Sequence, residues 1–328
     1  MLGAAALLLT GCGAQEKTGG SSLSTEAASG EEETGNAQTH AANDRTAAES
    51  APDAGLPDAE SLPGEAESTP DETGETGGAQ TTASMHIENE KIDLAGLDTT
   101  PEGWGMGREY DAYNRPEFCL IYQERYKDYP VYFIGPWEEG DPKVIYLTLN
   151  MGWSNKWVSL SLDTLQEKGV SAVFFSTGNV LWENPETIER VITEGHDLAN
   201  HTMHHKMDGM PSLSVEQQEA EIMDMHERVL QDFGYEMHLF RFPNGEFNEQ
   251  SLAIVNNCQY KSVFWSYTYV DWNRSDQPDV AASVKDAVDH LHPGAIYCFH
   301  ATSETSATML GAFIDQAREK GYEFELLR

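Results

Sequence analysis

The first 103 residues contain no Phe, Trp or Tyr, and the first aromatic side chain is Trp104. Residues 13–87 are mostly Ser, Thr, Ala, Gly, Pro and Glu, with 15 acidic and two basic side chains. Such a segment cannot bury enough apolar surface to offset the entropy of ordering, so it reads as a disordered acidic linker. Basic residues are scarce throughout: 20 Lys and Arg stand against 55 Asp and Glu, a formal net charge of −35. No basic stripe is left to follow a phosphate backbone, which argues against nucleic acid as a partner. Cysteine is sparse too. Beyond Cys12, only Cys119, Cys258 and Cys298 occur. Their unrelated spacings give no disulfide framework and no Cys-x-x-Cys metal site. No Gly-x-Gly-x-x-Gly or Walker loop follows the first strand-like segment, so no nucleotide site is expected.

Residues 1–12 form a short apolar run ending in Leu9-Thr10-Gly11-Cys12. The run is too short to cross a bilayer as a helix and reads as the apolar part of a signal peptide. Its end resembles the bacterial lipobox, which implies acylation of Cys12 and an extracytoplasmic protein held to the cell membrane by a lipid anchor. About 75 flexible residues behind such an anchor would reach roughly 45–50 Å.

Four segments follow from these contrasts: a lipoprotein signal (1–12), the acidic linker (13–87), an irregular extension rich in Trp, Tyr and Pro (88–142), and one folded domain (143–328). Within that domain, apolar strands are expected at 144–149, 172–176, 196–200, 238–242, 262–267, 295–300 and 323–327. Helical patterns separate them. The clearest is 215–233, entered by Ser214 with Gln217 three residues on, a capping box, and carrying Ile222, Met225, Val229 and Phe233 on one face. Strands alternating with helices imply parallel pairing, and near-continuous apolarity implies strands covered on both sides. The expected fold is α/β: a distorted (β/α) barrel of about seven parallel strands, with the extension packed against it.

In a parallel barrel the reactive groups collect at the carboxyl ends of the strands. Asn150, His201, Arg241, Asp271 and His300 all fall at or just beyond such ends. His201 and His205 are four residues apart, close enough to share a metal if the segment turns helically. Trp153, Trp157 and Trp272 lie near the same edge as candidate sugar-stacking surfaces, although each could equally pack in the core or at the rim.

Residues 194–205 resemble the Glu-Gly-His…Asn-His signature of the polysaccharide deacetylases, the NodB-homology group of metal-dependent de-N-acetylases. Arg241-Phe242-Pro243-Asn244-Gly245 resembles their Arg-Pro-Pro-x-Gly motif. Val263-Phe264-Trp265-Ser266 with Val270-Asp271-Trp272 resembles their fourth motif, and residues 292–300, ending in His300, resemble the fifth. The likeness runs from about Trp104 to Leu327 and is strongest to the muramic-acid de-N-acetylases of δ-lactam synthesis. It implies that His201 and His205 hold zinc or a similar divalent ion. It further implies that Arg241 orients a base, that Asp271 orients and charges His300, and that His300 protonates the leaving amine. The implied partner is an N-acetylated glycan, most simply peptidoglycan; oligomeric state is not legible.

One motif departs. Where the family has Thr-Phe-Asp-Asp-Gly, this chain has Thr148-Leu149-Asn150-Met151-Gly152. Asn150, at the base position, has no site that accepts a proton at neutral pH. Met151 offers only a thioether, a poor zinc ligand among oxygen and nitrogen donors. Loss of a general base typically costs about 10²–10⁴ in rate. Two readings result: a de-N-acetylase with its usual base replaced, and a catalytically silent member that binds glycan.

Overall fold

The computed structural model describes residues 89–153 and 156–328. The expectations for 1–12 and 13–87, the lipidation of Cys12 among them, lie outside the described residues. In chain order the strands are β1 (Glu102–Gly103), β2 (Val131–Tyr132), β3 (Lys143–Met151), β4 (Val173–Ser176), β5 (Asp197–Asn200), β6 (Leu239–Phe240), β7 (Glu246–Phe247), β8 (Lys261–Val263), β9 (Tyr267–Thr268), β10 (Ala295–His300) and β11 (Tyr322–Glu325). β1 and β7 form a separate antiparallel ribbon. The other nine make one parallel sheet in the order β2-β8-β6-β5-β4-β3-β10-β9, with β11 also beside β3. β3 is the long spine: its first half pairs with β11 and its second half with β4.

The expected single strand at 262–267 is instead two. Phe264 still donates its N–H to Tyr132 O (2.8 Å), while Ser266 donates to Ile296 O (3.0 Å). The chain therefore leaves β8, which lies between the edge strand β2 and β6, after Val263 and joins the opposite edge of the sheet by Tyr267. This crossing takes the place of a closing ladder, and it distorts the barrel. The second difference is β2, a strand supplied by the extension. Packing explains it: Phe133 stacks on Phe264 at 4.5 Å and 9°, and buried Trp104 lies 4.6 Å from Phe133. Trp104 also donates its indole N–H to Trp265 O at 2.9 Å. The extension thus completes the aromatic core.

Side chains alternate along β3, as a strand requires. Val144 and Tyr146 pack in one cluster with Phe175, Val263 and Ile296. Ile145, Leu147, Leu149 and Met151 pack in the other, with helix residues such as Leu162, Ile188 and Phe313. Asn150 shares the parity of Val144 and Tyr146, and Met151 does not. The helix Val215–Phe233 forms with both arms of its capping box and ends at Gly234 in the left-handed region (φ 62°). Ile222, Met225 and Val229 are buried as expected, and Phe233 is partly so. None of the helices in the described residues is long and apolar enough to cross a membrane.

Candidate active site

Asn150 lies near the end of β3, directly across the ladder from His300 on β10. Its amide oxygen accepts from Arg241 Nη1 at 2.9 Å. Arg241 follows β6 and is fully buried. Its Nε donates to Val263 O (3.1 Å), its Nη2 to Phe264 O (3.1 Å), and its Nη1 also approaches Cys298 Sγ (3.4 Å). The guanidinium sits 4.0 Å over the Phe175 ring. No carboxylate pairs with it among the described residues, and burial pulls its pKa down to about 10. Arg241 thus holds an amide where the related motif has a carboxylate.

His201 is buried, with Nδ1 2.8 Å from Arg241 O. A carbonyl only accepts, so Nδ1 carries the proton and Nε2 keeps its lone pair. Burial, with His205 nearby, holds the His201 pKa well below the ordinary imidazole range. Burial also lowers that of half-buried His205. The two rings are 4.9 Å apart, yet the segment is not helical. Thr202 (φ 69°) and His205 (φ 48°) take left-handed conformations instead. Thr202 Oγ1 accepts the His205 N–H (2.9 Å), and buried Glu221 accepts the His204 N–H (2.8 Å). Asn244 of the Arg-Phe-Pro-Asn-Gly turn donates to Met207 O (3.1 Å), tying two motifs together.

Asp271 is fully buried and its carboxylate is saturated. Oδ1 accepts from His300 Nδ1 (2.7 Å), and Oδ2 from the His300 N–H (2.8 Å) and Ser306 Oγ (2.5 Å). The His300 tautomer is therefore set with Nδ1 protonated, which leaves the Nε2 lone pair free. Trp272 is exposed and its ring lies 5.5 Å from that of His300. A cleft of about 310 Å³ adjoins this pair and includes Trp153, Trp157, Trp272, Arg274 and Glu304 in its wall.

The sequence-derived residues thus gather into contacting groups: Asn150 with Arg241, His201 with His205 and the Arg241 carbonyl, Asp271 with His300 and Trp272. Trp153 lies in the adjoining cleft. Phe175, Glu221, Arg274 and Ser306 support the arrangement and were not anticipated. All but Arg274 are distant in sequence from what they contact; Arg274, three residues beyond Asp271, was within reach of motif reading.

Residues 138–263 match the family profile of polysaccharide deacetylases. The chain is 30% identical over 226 residues to the peptidoglycan-N-acetylmuramic acid deacetylase PdaA of Bacillus subtilis, covering 69% of this chain and 84% of that protein. The chain belongs to the polysaccharide deacetylase family. The solved structure of B. subtilis PdaA, a family 4 carbohydrate esterase, superposes with a TM-score of 0.65 at 28% identity, covering 70% of this chain and 96% of that one. A Bacillus anthracis protein described as a family 4 pseudoenzyme shares the fold at 23% identity and a TM-score of 0.53, over 56% of this chain and 63% of that one.

The family implies a divalent metal, and the donor set here fits it only in part. The two imidazoles suit such an ion: His201 keeps Nε2 free, and its other nitrogen is fixed by a carbonyl, the usual outer support of a metal-binding His. The third position does not suit it. Met151 is fully buried in the helix-facing layer, on the opposite face of β3 from Asn150. Among the described residues, no three His, Cys, Asp or Glu side chains are grouped to hold a metal.

Proposed function

We propose that this protein is a peptidoglycan de-N-acetylase in which the usual base carboxylate is replaced by Asn150. The observation that carries the reading is the Asp271–His300 pair, joined at 2.7 Å beside the histidine pair and across the β3–β10 ladder from Asn150. In amide hydrolysis, water oxygen adds to the acetyl carbon, the C–N bond breaks, and the amine leaves with a proton. His300 Nε2, with its lone pair free, takes the proton that the water loses on addition and passes it to the departing amine, while the Asp271 carboxylate stabilises the imidazolium formed between the two steps and holds it in register. Arg241 fixes the Asn150 amide at the base position, where it can orient a water but not deprotonate it. His201 and His205 would hold a divalent ion, which supplies Lewis acidity and lowers the pKa of a bound water. Trp272 offers a sugar face a surface next to His300.

The same site also supports a second reading, a glycan binder without turnover. Asn150 spends its oxygen on Arg241, and Met151 is buried away from the cleft. The location that suits either role is outside the cytoplasm, with Cys12 lipidated and the linker spanning from membrane to wall. The deciding measurement is acetate release from purified peptidoglycan with added zinc, for wild type and His300→Ala. De-N-acetylation requires release that the substitution abolishes; glycan binding without acetate release establishes the second reading.

A further inference from the structure

The Arg274 guanidinium lies 3.8 Å over the Trp153 ring, inside the cleft that adjoins the Asp271–His300 pair. It forms no ion pair among the described residues, although Arg115, Arg125, Arg190 and Arg228 all pair with carboxylates. At the mouth of this cleft the Arg274 guanidinium is held by an aromatic face rather than by a carboxylate, which leaves its N–H groups open to an anionic ligand. Glu304 lines the same cleft but is not within pairing distance; it sits in the first turn of the helix Glu304–Glu319, where the helix dipole favours its charge. The indole N–H of Trp153 is buried with no hydrogen-bond partner. Among the described residues the Trp153 indole N–H therefore has no protein anchor, and the contact the ring does make is with Arg274. The ring serves as the platform that holds Arg274.

We propose that Arg274, stacked on Trp153, is a specificity-determining residue that receives the carboxylate of an acidic N-acetylated sugar, namely the lactyl carboxylate of N-acetylmuramic acid. The proposal rests on the glycan reading of this cleft and names the sugar it selects. A planar guanidinium takes a carboxylate through two parallel N–H bonds, and stacking has already removed part of its rotamer freedom. An uncharged N-acetylglucosamine at the same place leaves the cation with water alone.

The test is calorimetric binding to the full chain at low salt with two probes of equal length. One is the N-acetylglucosamine tetrasaccharide. The other is a peptide-free peptidoglycan tetrasaccharide of alternating N-acetylglucosamine and N-acetylmuramic acid. Wild type is expected to prefer the acidic probe by about tenfold, equivalent to about 1.4 kcal/mol. Arg274→Gln should bring the two affinities together by weakening the acidic probe more than the neutral one, while Arg274→Lys keeps part of the difference. Arg274 is exposed, and an unchanged melting temperature will confirm that each variant is folded. Equal affinity of wild type for both probes, or a preference that survives in Arg274→Gln, overturns the role of Arg274 and leaves the glycan reading standing. Failure of wild type to bind either probe overturns both.

Discussion

Asn150 is the residue on which the proposed activity turns, because the buried guanidinium that holds its amide is suited to a carboxylate. Arg241 points a fully buried guanidinium at its amide oxygen, and no anion answers that charge among the described residues. Asn150→Asp puts a near-isosteric carboxylate into this contact, where the buried cation keeps it ionised and able to take a proton. Acetate release from peptidoglycan is expected to rise on the order of 10²-fold, the size of a general-base contribution. If the variant folds and gains nothing, the site has diverged beyond this position. Metal binding is a separate question at the same scale. His201 and His205 offer two neutral imidazoles, and Met151 does not supply a third donor. Zinc titration should show one weak site, lost in the His201→Ala, His205→Ala double variant; no detectable site in wild type would remove the metal from the mechanism.

At the scale of elements, the turn before β10 is a tight joint between the extension and the barrel. Gly294 has φ 74°; its carbonyl accepts the Gly135 N–H at 2.8 Å, and its own N–H donates to Val144 O at 2.9 Å. A Cβ at Gly294 would stand 2.5 Å from Gly135 O. Gly294→Ala therefore combines a left-handed backbone with a clash against backbone, and is expected to cost about 2 kcal/mol or more. Urea unfolding measures it; a cost below about 0.5 kcal/mol, the range of a neutral surface change, would refute this account of the joint. The periodic strands were legible because each carries a run of apolar residues long enough to signal itself. β2 was not, since two residues following Pro130 carry no period, and its pairing depends on Phe133 meeting Phe264 far along the chain. The break within 262–267 was equally hidden, because both halves are apolar and only the ladder each one joins distinguishes them. The histidine loop shows the same limit. Spacing brought His201 and His205 together, but through left-handed turns braced by Thr202 and Glu221 rather than a helix.

For the whole molecule, pH is the lever that tests whether the motif histidines are structural or reactive. His292 opens the same motif that His300 closes, yet it is almost fully buried. Its Nδ1 donates to His290 O at 2.8 Å, so its Nε2 accepts from Ser266 Oγ at 2.7 Å. Ser266 Oγ in turn accepts the Ile296 N–H at 2.9 Å. The network is complete with a neutral ring, and burial pushes the His292 pKa down to about 4. In the unfolded chain the same imidazole titrates near its ordinary value of about 6.5. A lowered folded pKa means the unfolded state binds the proton first as pH falls. The contribution to stability is whole above about pH 6.5 and is lost progressively down to about pH 4. Between about pH 7.5 and 5 this one site should cost about 2 kcal/mol. Urea unfolding at those two pH values should show a loss in wild type that is smaller by about that amount in His292→Gln. An NMR titration of the wild-type ring gives an independent reading, with no protonation expected above about pH 5. Equal losses in the two proteins, together with a ring that titrates near 6.5, would instead make His292 an accessible titrating group, and the division between a buried structural histidine and a reactive His300 within one motif would fail.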